Sequence, residues 1–181
     1  MQYKWFTGAV ALACATTLAP MTPVAATASP ATWAGAAAAA STPRCATSGL
    51  VIWLDTQGSG AAGSTYYRIE LTNLSGHTCT LVGYPRVAAV NLGGHQLGSG
   101  SIHYVSRMPL VTLANRATAS VVLEIIDVDN FSASACRPVT AAGLRVFPPK
   151  RNASKVIPFP FRACSRTGPE YLTAAAVQPH Q

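Results

Sequence analysis

The sequence predicts an all-β fold, an immunoglobulin-like antiparallel β-sandwich stapled by two disulfides. Apolar and polar residues alternate with a period of two from Cys45 onward, which is typical of half-buried strands. Turn-forming Gly, Pro, Asn and Ser residues separate these short segments, as they do in sandwiches and barrels. No segment of this region combines helical periodicity with capping residues. The composition, with 49% hydrophobic and 10% charged residues, excludes a disordered chain.

Two strands have the clearest pattern. Tyr67, Ile69 and Leu71 alternate with more polar neighbours, and residues 116–126 alternate over a span long enough for a central strand. Glycine and proline pairs such as Gly93-Gly94 mark the turns between strands. Shorter strands are predicted at residues 50–54, 79–82, 87–91, 110–113, 143–147, 155–159 and 171–177.

The N-terminus predicts export from the cytoplasm. Lys4 precedes a short apolar stretch, and Ala26-Thr27-Ala28 forms a small-residue site that signal peptidase can cleave. We assign residues 1–28 to a signal peptide that is cleaved after Ala28. Cleavage after Ala26, or at a later site in the Ala-rich run before Ser41, is the alternative. Residues 29–44 then form a flexible leader rich in Ala, Pro and Thr, and residues 45–178 form the domain. The predicted location is secreted or extracellular.

Cys14 raises the alternative of a lipoprotein. The residues before it, Ala11-Leu12-Ala13, place alanine where a lipobox has a large aliphatic residue, so we expect no lipid anchor at Cys14. A retained membrane anchor is the other alternative. Threonine and glycine interrupt the N-terminal apolar run, and we expect no stable membrane span after cleavage.

Four cysteines remain after removal of the signal peptide. An even number in an exported chain predicts two disulfides, and four cysteines allow three pairings. We favour Cys45–Cys79 with Cys136–Cys164, because each pair joins neighbours in the sequence. A zinc site does not fit, since no two of these cysteines have the spacing of a ligand pair. We therefore expect no metal and no cofactor.

The chain is basic but its charges are scattered. It contains 13 Lys and Arg against 6 Asp and Glu, a formal charge of +7, and the densest cluster is Lys150-Arg151 with Lys155. Nucleic-acid-binding domains concentrate such charge on one face, so we expect no nucleic-acid partner. A weak, salt-sensitive attraction to anionic wall polymer or lipid head groups would follow from the same charge.

Two motif matches fail on their context. Residues 58–63 read G-x-G-x-x-G, but a strand pattern follows where dinucleotide binding needs a helix. We interpret this segment as a flexible inter-strand loop. Asp127 could open a calcium loop, but Ser132 and Pro138 occupy the positions that need Gly and Glu.

No catalytic constellation stands out. His77 lies two residues before Cys79, but a cysteine in a disulfide cannot act as a nucleophile. The six carboxylates offer no recognisable acid–base pair. We predict that the protein is not an enzyme and assign no catalytic residues.

One long motif run resembles a known family. The Thr-Asn-x-Ser-Gly-x-x-Cys-x-Leu-x-Gly-Tyr-Pro pattern spans residues 72–85, and Val146-Phe147-Pro148-Pro149 supports it. Across residues 45–177 the chain resembles the secreted, actinobacterial-type domain family of unknown function numbered 4232. The resemblance implies export, a β-sandwich and frequent attachment to a lipoprotein anchor or a longer secreted chain. It implies no catalytic residues.

Three functions remain open from the sequence. The first is a non-enzymatic binding or structural module at the cell envelope, which predicts an exposed apolar or aromatic patch around Tyr66, Tyr84 or Tyr104. Its partner would be a cell-wall polymer or another secreted protein. The second is a secreted protease inhibitor presenting the loop from Asp127 to Arg137. The third is a cell-wall hydrolase, which needs a cleft with two convergent carboxylates.

Overall fold

A computed structural model describes residues 41–180 of the chain. The predicted signal peptide, Cys14 and most of the predicted leader lie outside the described residues. Twelve strands make up most of the described part: β1 Leu50–Ala61, β2 Ser64–Asn73, β3 Cys79–Leu81, β4 Arg86–Val90, β5 Gln96–Leu97, β6 Ile102–His103, β7 Val111–Leu113, β8 Thr118–Ile126, β9 Pro138–Phe147, β10 Lys155–Cys164, β11 Leu172–Ala174 and β12 Gln178–Pro179.

The strands form three sheets. The largest has the order β1-β2-β8-β11-β6, with β12 also paired to β8. A second sheet has the order β10-β9-β4-β5, and β3 pairs with β7 in a third. Every strand pair is antiparallel except β11 with β6, which is parallel. The structure confirms an all-β fold with antiparallel sheets, whereas the immunoglobulin-like topology stays a prediction.

One hydrophobic core joins the two larger sheets. The alternating residues of β2 and β8 that the sequence singled out, such as Ile69 and Val121, are fully buried. Leu144 and Val146 of β9 and Val87 of β4 belong to the same core cluster. Each such side chain contributes roughly 1.5–3 kcal/mol when it leaves water, so this shared core holds the two sheets together.

Strand β1 is longer than the sequence predicted. The expected inter-strand loop at residues 58–63 is wrong, because β1 stays paired with β2 as far as Ala61, through an irregularity between Asp55 and Ser59. Gly58 permits this pairing: a Cβ there would lie 2.8 Å from Cε1 of Tyr67. Only residues 62 and 63 form the turn, and β2 follows directly, with no helix.

Short elements escaped the sequence prediction. Strands β5, β6 and β12 have two residues each, too few to show a period. Ala133–Cys136 forms one α-helical turn, α1, which is too short to show the helical periodicity that the sequence lacks. Its cap is Ser132, whose Oγ accepts a hydrogen bond from the Ala135 N–H at 3.3 Å.

The two disulfides have the pairing that the sequence favoured. Cys45 is bonded to Cys79 and Cys136 to Cys164, with Cα separations of 4.8 and 4.6 Å. The last two residues of the predicted leader are also bonded to the domain. The Thr80 N–H donates to the carbonyl of residue 43 at 2.9 Å, and the carbonyl of residue 44 accepts from an arginine side chain at 2.7 Å.

Within residues 41–180, none of the helices has the length and apolar character needed to cross a bilayer.

Candidate binding surface

The motif run at residues 72–85 is organised by the buried side chain of Asn73. Its Nδ2 donates to the carbonyls of His77 (2.8 Å), Leu113 (3.0 Å) and Ala114 (3.2 Å). Its Oδ1 accepts from the backbone N–H and the hydroxyl of Ser75 at 3.0 and 2.7 Å. One side chain therefore joins the end of β7 to the turn before β3, which gives Asn73 a structural role.

The end of the same run positions Tyr84. Gly83 has φ of 106°, a left-handed conformation that favours glycine, and a Cβ there would lie 3.8 Å from Cβ of Pro149. The Tyr84 hydroxyl donates to the Ser106 carbonyl at 3.1 Å and accepts from the Ser106 N–H at 2.9 Å. Its ring packs on His103, with centroids 4.3 Å apart. Tyr84 therefore braces the chain that follows β6.

The apolar loop, which we define as residues 102–110, consists of β6 and the segment that leads to β7. Val105 is 99% exposed, Leu110 66% and Met108 52%, and the side chain of Tyr104 is also exposed. Single exposed apolar residues are ordinary, whereas this loop has several within nine residues. The expected apolar and aromatic patch is thus present beside Tyr104.

Four contacts hold the apolar loop against the rest of the domain. Ile102 and His103 pair with β11, and Ser106 is bonded to Tyr84 as described above. The Tyr104 hydroxyl donates to Oε2 of Glu124, and Gln178 Nε2 donates to the Arg107 carbonyl at 3.3 Å. These bonds use the backbone of the loop and the Tyr104 hydroxyl, while the apolar side chains face water.

Glu124 links two of the three tyrosines that the sequence singled out. Its carboxylate is buried on β8, and it accepts from Tyr104 and, at 3.0 Å through Oε1, from Tyr66 of β2. The hydrogen bond to Glu124 raises the pKa of Tyr66 above its ordinary value, with burial and the negative charge of Glu124 acting in the same direction. Tyr84 does not bond to Glu124 and contacts the loop at Ser106 and His103.

A group of basic residues adjoins the apolar loop through residues 83–86. Arg86 Nη2 donates to the Arg151 carbonyl at 3.3 Å, and Arg151 in turn donates to the carbonyls of Arg44 and Cys45. Gly83 lies near both Pro149 and β12, since its carbonyl accepts from the Val177 N–H at 3.0 Å. The apolar loop and this basic group therefore lie at one end of the domain.

The hydrolase hypothesis needs two carboxylates in one cleft. A depression of about 430 Å³ lies over β1, β2 and β8, and Asp55 is the carboxylate among the described residues that line it. Glu70 is buried and bonded to His180 at 3.2 Å. Glu70 is opposite Ser120, so about 13 Å of strand separates it from Glu124. Glycosidase carboxylates lie closer together than this.

The inhibitor hypothesis needs a protruding loop from Asp127 to Arg137. This segment instead consists of the 3₁₀ turn Val128–Asn130 and α1, each with a side-chain cap. Asp127 caps the first turn, and Asp129 forms an exposed ion pair with Arg162 at 3.0 Å. The backbone is folded on itself and does not offer an extended strand to a protease cleft.

The described part of the chain holds no group of three or more His, Cys, Asp or Glu side chains arranged for a metal ion. His77 Nδ1 lies 3.1 Å from the Ser75 carbonyl, to which its protonated form donates, and the His103 ring packs on Tyr84. Both histidines therefore have local structural contacts.

The sequence analysis identified Tyr104 but missed its apolar neighbours. Val105 and Met108 are three residues apart and fit no period of two, and Leu110 was predicted as the first residue of a strand that begins at Val111 in the structure. The available signal was a run rich in large apolar residues that fits no strand or helix.

Comparison with known proteins adds the family. No curated protein and no solved structure matches this chain. A family model described as a domain of unknown function, DUF4232, matches residues 45–179, which include both disulfides, the Asn73 motif and the apolar loop. The match covers well over half of the chain, and the protein belongs to the DUF4232 family.

Proposed function

We propose that this protein is an exported, non-enzymatic binding module of the cell envelope, and that the apolar loop is its contact surface. The observation that carries the proposal is the loop itself, which presents Val105, Met108 and Leu110 to water while its polar groups are bonded to the domain. A surface fixed in this way loses little conformational freedom when it binds, which favours association.

The absence of a catalytic role is part of the proposal. Both buried glutamates have hydrogen-bond partners within the domain, and the four domain cysteines are in disulfides. These glutamates and cysteines therefore serve structure, and the exposed loop is apolar and suited to binding.

The test compares capture by matched variants of the exported chain. The chain is purified after export, its N-terminus is sequenced to establish signal cleavage, and it is used to capture components from envelope and culture-medium fractions. We expect the double variant Val105→Ser/Met108→Ser to lose the captured components. Leu92→Ser is the control, because Leu92 is 97% exposed on the separate turn between β4 and β5. Equal capture by both variants would show that the loop is not the contact surface.

A further inference from the structure

We propose that the partner of the apolar loop is the surface of an anionic lipid bilayer. This inference rests on the proposed function and names the partner of the same site. It combines two observations that occur at the same end of the domain: exposed apolar side chains on a braced loop, and basic residues without accessible acids beside them.

The apolar side chains suit shallow insertion into a bilayer interface. Val105 stands almost entirely in water, and Met108 and Leu110 are more than half exposed on the same loop. Tyr104 lies beside them with its hydroxyl bonded to Glu124, and aromatic residues of this kind are enriched at membrane interfaces. A bilayer accommodates side chains that project singly, whereas the centre of a protein interface packs them into matching pockets.

The charge distribution favours an anionic surface. No Asp or Glu occurs from residue 91 to residue 123, a stretch that contains the whole apolar loop and includes Arg107 and Arg116. Arg86 and Arg151 contact each other at the same end of the domain. Basic residues near a bilayer are attracted by anionic head groups, and an apolar contact together with such charge gives stable peripheral binding.

The acidic residues lie elsewhere or are buried. Glu70 and Glu124 are buried and hydrogen-bonded. Asp127 and Asp129 follow the far end of β8, and Glu170 precedes Tyr171, whose carbonyl accepts from the last residue of β8. Asp55 is partly exposed on β1, where it lies opposite Arg68 of β2. The apolar loop itself contains no carboxylate that would repel head groups.

An anionic wall polymer explains only half of these observations. It would attract the arginines, but Val105 and Met108 would stay in water. A bilayer is the partner that uses both the charge and the apolar side chains, and the two sources give different results with the same variants.

The experiment measures binding of the exported chain to lipid vesicles by co-sedimentation. The vesicles contain phosphatidylcholine alone or phosphatidylcholine mixed with phosphatidylglycerol, and the absence of the signal peptide is established by N-terminal sequencing. We expect binding to the mixed vesicles that weakens in high salt. We expect Val105→Ser/Met108→Ser to lower the vesicle affinity by about tenfold or more. Arg107→Gln lowers it by a smaller factor and reduces its salt dependence, and Leu92→Ser leaves it unchanged.

A spectroscopic variant locates the contact. Val105→Trp is expected to show a blue-shifted emission component with mixed vesicles, which its difference spectrum against the unaltered chain isolates. The lipid proposal is overturned if the mixed vesicles are not bound, or if the loop variant binds them as well as the Leu92→Ser control. Binding of a purified anionic polysaccharide that depends on Arg107 but not on Val105 would also overturn it.

Failure of the lipid proposal is distinguishable from failure of the proposed function. If envelope capture depends on the loop and vesicles are not bound, the contact surface stands and the partner is not lipid. If neither depends on the loop, both proposals are wrong.

Discussion

Two connecting segments of this domain use their side chains in opposite ways. In residues 72–85 the polar groups are bonded inward around Asn73, and Cys79 is joined to Cys45. In the apolar loop, residues 102–110, the polar groups are also bonded inward, but the large apolar side chains face water. The first segment buries Cys79 and Leu81 and exposes one large apolar side chain, Leu74, whereas the second exposes several within nine residues.

The difference explains why the most recognisable motif says least about function. Asn73 is required because its side chain forms the centre of a buried group of hydrogen bonds. Gly83 is required because the backbone there has a left-handed conformation. Residues of that kind are recognisable because few others fit. Val105 has no such structural constraint, because its side chain is exposed. The residue type at this position can therefore depend on the partner that it contacts.

The largest difference in stability between variants of the two segments is expected for the Cys45–Cys79 disulfide. Replacing Cys45 and Cys79 together by Ala should lower the free energy of unfolding by about 4 kcal/mol, because their separation of 34 residues closes a long loop. Val105→Ser should change it by less than about 0.5 kcal/mol. Urea denaturation measures both. Mass spectrometry of unreduced peptides checks the pairing, and a Cys45–Cys164 peptide would contradict it.

A smaller contrast is expected from the buried asparagine. Asn73→Ala removes the partner of three carbonyls and of Ser75, and we expect a loss of about 3 kcal/mol in urea denaturation. Asn91→Ala is the matched control, since Asn91 Oδ1 accepts from the His95 N–H on a solvent-exposed turn. It should lose about 1 kcal/mol. Equal losses would mean that the Asn73 centre is not the organiser of its segment.

The smallest effect concerns the bracing of the apolar loop by Glu124. The pKa of Tyr66 is raised by its hydrogen bond to Glu124, so the stability from this bond is present below the ordinary tyrosine pKa of about 10. It is lost as the pH rises through the higher folded-state pKa. Glu124→Gln should lower the Tyr66 pKa, as measured by tyrosinate absorbance with Tyr66→Phe to assign the signal.

The same substitution reports on the loop. Glu124→Gln weakens the bond from Tyr104, and we expect faster tryptic cleavage after Arg107 than in the unaltered chain. Tyr84→Phe, which removes the bonds to Ser106, should act in the same direction. Unchanged cleavage in both variants would show that these contacts do not hold the loop.

Much of the fold could be predicted from the alternation of apolar and polar residues within single strands. Ile69, Leu71 and Val121 alternate with polar residues and lie in the core of the large sheet. The strand prediction stopped at residue 54 of β1 because glycines usually end strands, whereas here Gly58 makes room for the Tyr67 ring. That contact joins two strands, so the alternation of residues within β1 alone does not reveal it.

The candidate site was only partly accessible to sequence reasoning. Tyr66, Tyr84 and Tyr104 could be named as candidates, but the convergence of Tyr66 and Tyr104 on Glu124 depends on three different strands or loops. The exposure of Val105 depends on where Tyr84 fixes Ser106, which the sequence places 22 residues away. Both are properties of the sheet order and not of any one segment.

The two disulfides also define how a pulling force would travel through this domain. A force applied along the chain before residue 45 passes at Cys45 directly to Cys79, and a second shortcut connects Cys136 to Cys164. The intervening segments contain the β1–β2 hairpin and the β9–β10 hairpin. Neither hairpin can be drawn out while its bridge is intact, so the covalent bonds limit the extension of the chain under tension.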